Sequence, residues 1–79
     1  MPDLSSLSPA QRAAHASVAG LLAVEPATLA LNATMISHPK WDSFAHLEIL
    51  LFLQQEKGIE INEATLSRFS HLANILELF

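Results

Sequence analysis

The sequence has no cysteine and no tyrosine, and only two glycines. Without cysteine there is no disulfide, no thiolate catalysis and no zinc–thiolate site. A cysteine-free chain suits a reducing compartment, so a cytoplasmic protein is the expectation. If this protein handles a thiol, the thiol is borrowed. Cations are scarce too: Arg12, Lys40, Lys57 and Arg68 are all there are, and the formal net charge is −4. No basic patch or stripe exists, so a nucleic-acid partner is not expected and a helix-turn-helix DNA binder fails on charge. No apolar run approaches the ~20 residues of a bilayer span, and Met1-Pro2-Asp3 lacks the charged n-region of a signal peptide. Membrane insertion is therefore not expected. Strand signals are missing as well, because no alternating run ends in an Asn-Gly or Asp-Gly turn.

What is present is a helical pattern. Hydrophobic residues make up 51% and charged residues 15% of 79 positions, which favours a folded core over disorder. The length suits one domain over residues 1–79 and a limited core, and a monomer is expected. All-α is the expected class. Met1 to Leu7 read as a frayed lead-in. Ser8-Pro9-Ala10-Gln11 is a helix start, with Ser at the N-cap, Pro at the first position and Gln closing a capping box. The first helix is expected to run to about Ala23, with Ala10, Ala14, Val18, Leu21 and Leu22 on one side. Gly20 inside it marks close packing or a weak end. A long connection follows, broken by Pro26 and Pro39, with a short helical turn at Pro26–Leu29. Leu29, Leu31, Met35, Ile36 and Trp41 are expected to tack it to the core.

Asp42 then starts the central helix. Its carboxylate can accept a bond from a free first-turn N–H, and Ser43 falls at the first helical position with its hydroxyl outward. Phe44, Leu47, Leu50, Leu51 and Leu53 recur at three- and four-residue steps. Leu47 and Leu51 are expected to share a buried cluster with Ile75 and Phe79. The helix should stop at Gly58, a good left-handed residue past a helix end. Ile59-Glu60-Ile61 reads as an extended connector. Asn62 caps a short helix with Leu66 and Phe69 inward, and Ser70 caps a last helix that keeps its spacing through Leu72, Ile75, Leu76 and Phe79. That makes three main helices, one short one and a long first loop, a four-helix bundle.

Asp42-Ser43-Phe44, the apolar helix behind it, and Gly58-Ile59-Glu60-Ile61 before a short helix together resemble the acyl carrier proteins. The resemblance spans the first helix to Phe79 in helix order and loop length. It implies that Ser43 carries a 4′-phosphopantetheine arm derived from coenzyme A, with Asp42 as helix cap and transferase contact. It also implies a non-enzymatic carrier of acyl or aminoacyl thioesters. Its partners would be a phosphopantetheinyl transferase and acyl- or aminoacyl-handling enzymes, meeting it at Phe44, Ala45, Glu48 and Gln55. Phe44 stands where the family usually has leucine, Gln54 and Gln55 where fatty-acid carriers often have glutamate, and Lys57 where an apolar residue is common. These departures resemble discrete carriers of specialised biosynthetic pathways.

Each feature has a plainer reading. Asp and Ser at a helix start are ordinary capping residues. Ser43 and His46, three residues apart, invite a Ser–His hydrolase, but no third group orients the imidazole and no oxyanion hole is evident. His46 is expected beside Asp42 as a weak surface pair. His15, His38, His46 and His71 show no metal-ligand spacing, and Trp41 reads as a core anchor. The rival function is a small helical interaction module, never modified at Ser43, that grips a partner helix in an apolar groove.

Overall fold

The computed structural model describes residues 6–79. The described residues form a small all-α fold: α1 (Pro9–Leu21), α2 (Ser43–Lys57), α3 (Glu63–Arg68) and α4 (Leu72–Leu76), with a 3-10 turn at Pro26–Thr28. Two helices are long, at 13 and 15 residues, and the last two are short, at six and five. This corrects the expectation of three main helices. No described helix is long and apolar enough to cross a membrane.

The start of α1 forms as its residues dictate. Ser8 Oγ accepts the Gln11 N–H at 3.1 Å, and Gln11 Oε1 accepts the Ser8 N–H at 3.1 Å. Gln11 also donates through Nε2 to Leu76 O at 3.2 Å, tying α1 to the end of α4. Of the expected frayed lead-in, residues 1–5 lie outside the described residues, while Leu7 packs against the core. The helix ends at Leu21, before Ala23. Val24 N–H donates to Ala19 O and Ala23 N–H to Gly20 O, a Schellman closure that places Ala23 in the left-handed region at φ 59°. Gly20 lies exposed in that last turn with no close neighbour, so it marks a weak end and not a close approach. The buried side of α1 is Ala14, His15, Val18 and Ala19; Ala10 is exposed.

The long connection is held at three places. His15 Nε2 meets Leu29 O at 2.8 Å, fixing the 3-10 turn on α1. Met35 N–H donates to Ser70 O at 2.8 Å and Leu72 N–H to Ala33 O at 3.0 Å, an isolated antiparallel bridge at Thr34 and His71. Trp41, 1% exposed, closes the connection. Leu29 is buried, and Leu31 and Met35 pack against the core. Ile36 does the opposite of what was expected and is 99% exposed. Thr34 and Ser37 exchange backbone-to-hydroxyl bonds of 3.0 Å each way, a knotted turn that holds Ile36 outward at its tip.

Helix α2 buries Ala45, His46, Ile49, Leu50 and Leu53. Leu47 and Leu51 are 47% and 49% exposed, so the expected cluster with Ile75 and Phe79 does not form. The helix is apolar on nearly every side, and its apolar repeat therefore fits more than one rotation. The core forms from α2's inner face with Ala14, Val18 and Leu22 of α1, Leu29, Trp41 and Phe69 of the connections, and Leu72, Ile75 and Leu76 of α4. Gly58 ends α2 at φ 67°, as expected. Asn62 caps α3 with Thr65 completing the box, Phe69 is buried, and Leu66 is turned partly out at 39% exposed. His71, not Ser70, stands at the α4 cap, because Ser70 Oγ donates instead to Ser67 O at 2.7 Å. Helix α4 ends at Leu76. Phe79 lies beyond it, half-buried, stacked on Phe52 with centroids 6.0 Å apart and with Lys57 Nζ 4.7 Å from its ring centre.

Candidate functional site

Asp42 caps α2 as its sequence position requires: Oδ1 accepts the Ala45 N–H at 2.9 Å, and the Asp42 carbonyl accepts the His46 N–H at 2.9 Å. That leaves the N–H groups of Ser43 and Phe44 without a partner among the described residues. Ser43 is exposed, and its Oγ makes no hydrogen bond among them either. A hydroxyl at the first helical position, with the capping bond supplied by its neighbour, is free to be approached by another molecule. Negative charge placed there meets the positive end of a 15-residue helix.

Ser43 opens onto a groove of about 470 Å³ between the connection, α2 and α3, lined by Met35, Ile36, His46, Glu63, Leu66, Ser67 and Ser70. Its walls are chiefly apolar, with Glu63 and Ser67 contributed by α3 and Ser70 bonded to the connection through Met35 N–H. A second, smaller groove of about 230 Å³ lies against α1 beside Ala10, Ala13, Ala14, Ser17, Phe52, Glu56 and Phe79. No group of three or more His, Asp or Glu among the described residues is arranged to hold a metal ion.

The expected partner contacts divide. Phe44 is 73% exposed, Gln55 is exposed and Glu48 is half-buried. Ala45 is 6% exposed and faces the core, so it cannot be a partner contact. Its position one step past the outward Ser43 and Phe44 turns its Cβ under the helix. Leu47 and Leu51 take its place on the outer face, giving a stripe Phe44–Leu47–Leu51 at helical spacing. With Ile36 they are apolar groups held in solvent beside Ser43.

His46 is not the surface partner of Asp42. It is 4% exposed, its Nδ1 accepts the Trp41 indole N–H at 3.0 Å, and its Nε2 meets Leu66 O at 2.7 Å. Both ring nitrogens are engaged, so His46 has none left to activate Ser43 and the Ser–His hydrolase reading falls. A signal for this pair lies in the sequence: Trp41 and His46 are the residues before the cap and at the fourth helical position, which meet across a helix start. No family model, no curated protein and no solved structure matches the chain.

Proposed function

We propose that the protein is a carrier whose Ser43 hydroxyl, losing its proton, accepts a 4′-phosphopantetheine arm from coenzyme A as the pyrophosphate bond breaks and adenosine 3′,5′-bisphosphate leaves. The observation that carries this reading is Ser43 itself: exposed, unbonded at Oγ, at the head of a helix pinned by its inner face, and opening onto an apolar groove. The all-helical order supports it too: a long helix, a long connection, a central helix and two short helices. Ser43 would hold the arm through a phosphodiester, and the free N–H groups at the head of α2 would face that anion. The arm supplies a terminal thiol that holds an acyl or aminoacyl cargo as a thioester. The chain's own residues bind and present: Asp42 keeps the helix start closed without consuming Ser43. Met35, Ile36 and Leu66 offer an apolar wall beside it. The protein is then no catalyst, and a phosphopantetheinyl transferase and cargo-handling enzymes do the bond chemistry.

Intact mass after exposure to coenzyme A and a broad-specificity transferase tests this. The parent protein gains one phosphopantetheine, and Ser43→Ala gains none while its circular-dichroism spectrum and melting temperature stay close to the parent's. A mass gain that survives Ser43→Ala overturns the assignment. A second reading is favoured by the exposed Phe44, Leu47, Leu51 and Ile36, which suit an unmodified module that binds a partner through apolar contact. Under that reading the parent protein shows no mass gain at all.

A further inference from the structure

Trp41 and His46 stand at the two positions that clasp a helix start, where apolar pairs ordinarily pack. Here the clasp is polar and buried, at 1% and 4% exposure. An indole N–H only donates, so the His46 Nδ1 that meets it at 3.0 Å accepts and carries no proton. The proton of a neutral ring then sits on Nε2, which donates to Leu66 O at 2.7 Å. That carbonyl lies in the last turn of α3, where no described backbone N–H reaches it. One imidazole in one tautomer thus ties three segments together: the residue before the Asp42 cap, the first turns of α2, and the end of α3.

These are the segments that frame Ser43. Trp41 precedes the carboxylate that caps its helix, and Leu66 forms a wall of the groove onto which it opens. We propose that His46 is a positioning residue for the Ser43 site, acting as the Nε2–H tautomer through Trp41 and Leu66 to hold the helix start and the groove wall in one arrangement. The role at Ser43 rests on the carrier reading above; the tautomer and its two bonds do not. Nothing passes through His46 chemically, because it donates to one neighbour and accepts from the other without a proton to spare. Removing it frees the indole to shift and takes the donor from the partly buried Leu66 O, which loosens α3 against α2.

The two bonds can be cut separately. His46→Asn keeps an acceptor near Nδ1 for Trp41, His46→Gln keeps a donor near Nε2 for Leu66 O, and His46→Phe keeps the ring with neither. Nitrogen-15 NMR of the parent reads the tautomer, and exchange of the Trp41 indole proton reads its bond. The Nε2–H form and a slowly exchanging indole are expected, with fast exchange in His46→Gln and His46→Phe and intermediate exchange in His46→Asn. An Nδ1–H tautomer, or an indole that exchanges freely in the parent, overturns the relay whatever Ser43 does. Loading of Ser43 from coenzyme A, measured well below each variant's melting temperature, reads the positioning. A fall in kcat/KM of roughly ten- to a hundredfold is expected in His46→Phe, the range that small misplacements cost, with smaller falls in the two single-bond variants. Parent-like loading in all variants that fold overturns the positioning role and leaves the carrier reading standing. A parent protein that is never loaded removes the carrier reading, and the positioning role with it, while the spectra still decide the relay.

Discussion

Leu47 and Leu50 are chemically identical and lie three residues apart on α2, yet one is 47% exposed and the other fully buried. Truncating Leu50 to Ala removes core contacts and leaves a cavity, so a loss of about 2–5 kcal/mol is expected. Leu47→Ala exposes nothing new and is expected to change stability by no more than about 0.5 kcal/mol. Urea titrations of the two variants check this, and equal losses would place Leu47 in the core after all. The same contrast runs through the histidines. His15 and His46 are buried and each meets the carbonyl of a leucine in another segment, so their polarity is satisfied where a surface role was expected of His46. With no buried side-chain nitrogen or oxygen left unpaired among the described residues, these two rings are structural braces.

The two long helices end where the backbone turns left. Helix α1 turns through Ala23 at φ 59°, and α2 turns through Gly58 at φ 67°. Both closures are sound, but only glycine enters that region without a steric cost, which for alanine is roughly 1 kcal/mol. Nothing lies within 4 Å of a Cβ built on Gly58, so its substitution is judged by backbone conformation alone. Ala23→Gly is therefore expected to raise stability by about 0.5–1 kcal/mol, and Gly58→Ala to lower it by about 1 kcal/mol. In a domain of this size 1 kcal/mol moves the melting temperature by roughly 4–8 °C. Thermal melts give the answer, and shifts of the same sign for both variants would contradict the left-handed assignments.

At the scale of the molecule, α2 is a helix apolar on nearly all sides of which the domain covers only one. Helices of that kind normally lie inside a larger core. Here the uncovered side carries Phe44, Leu47 and Leu51 along the same face as Ser43, with Ile36 held out beside it. Glu48, half-buried, is the one charge on α2 between its cap and Glu56. Under the carrier proposal, an enzyme acting at Ser43 covers this surface. Phe44→Ser and Leu51→Ser are expected to melt close to the parent and to raise the KM for transferase loading several-fold, with little dependence on salt. Glu48→Lys is expected to slow loading by a basic transferase at low salt and to recover as salt is added, since charge acts mainly on encounter. Loading rates across a salt series separate the two contributions. If none of the three substitutions changes the rate, partners do not read α2's outer face.

Local chemistry settled the starts of α1, α2 and α3 and the end of α2 without help from the rest of the chain. Ser8 with Gln11, Asp42, Gly58 and Asn62 with Thr65 each act on neighbours no more than a few residues away, so the first three helix starts, the end of α2 and the exposed place of Ser43 followed from sequence alone, whereas the start of α4 fell at His71 and not at Ser70. Composition likewise decided the helical class, because no strand or turn pattern competed. The rotation of α2 did not follow. Its leucines, isoleucine and phenylalanines satisfy a helical repeat on two faces, and only packing against α1, the connection and α4 chose Ile49, Leu50 and Leu53 over Leu47 and Leu51. That one choice moved Ala45 into the core, buried His46 against Trp41 and Leu66, and left an apolar stripe outside. Ile36 was equally undecided, since hydrophobicity argues for burial until the Thr34–Ser37 knot and the bridge to His71 fix where the turn points. Tertiary structure decided these because burial is a property of pairs of surfaces, and a sequence states only one surface at a time.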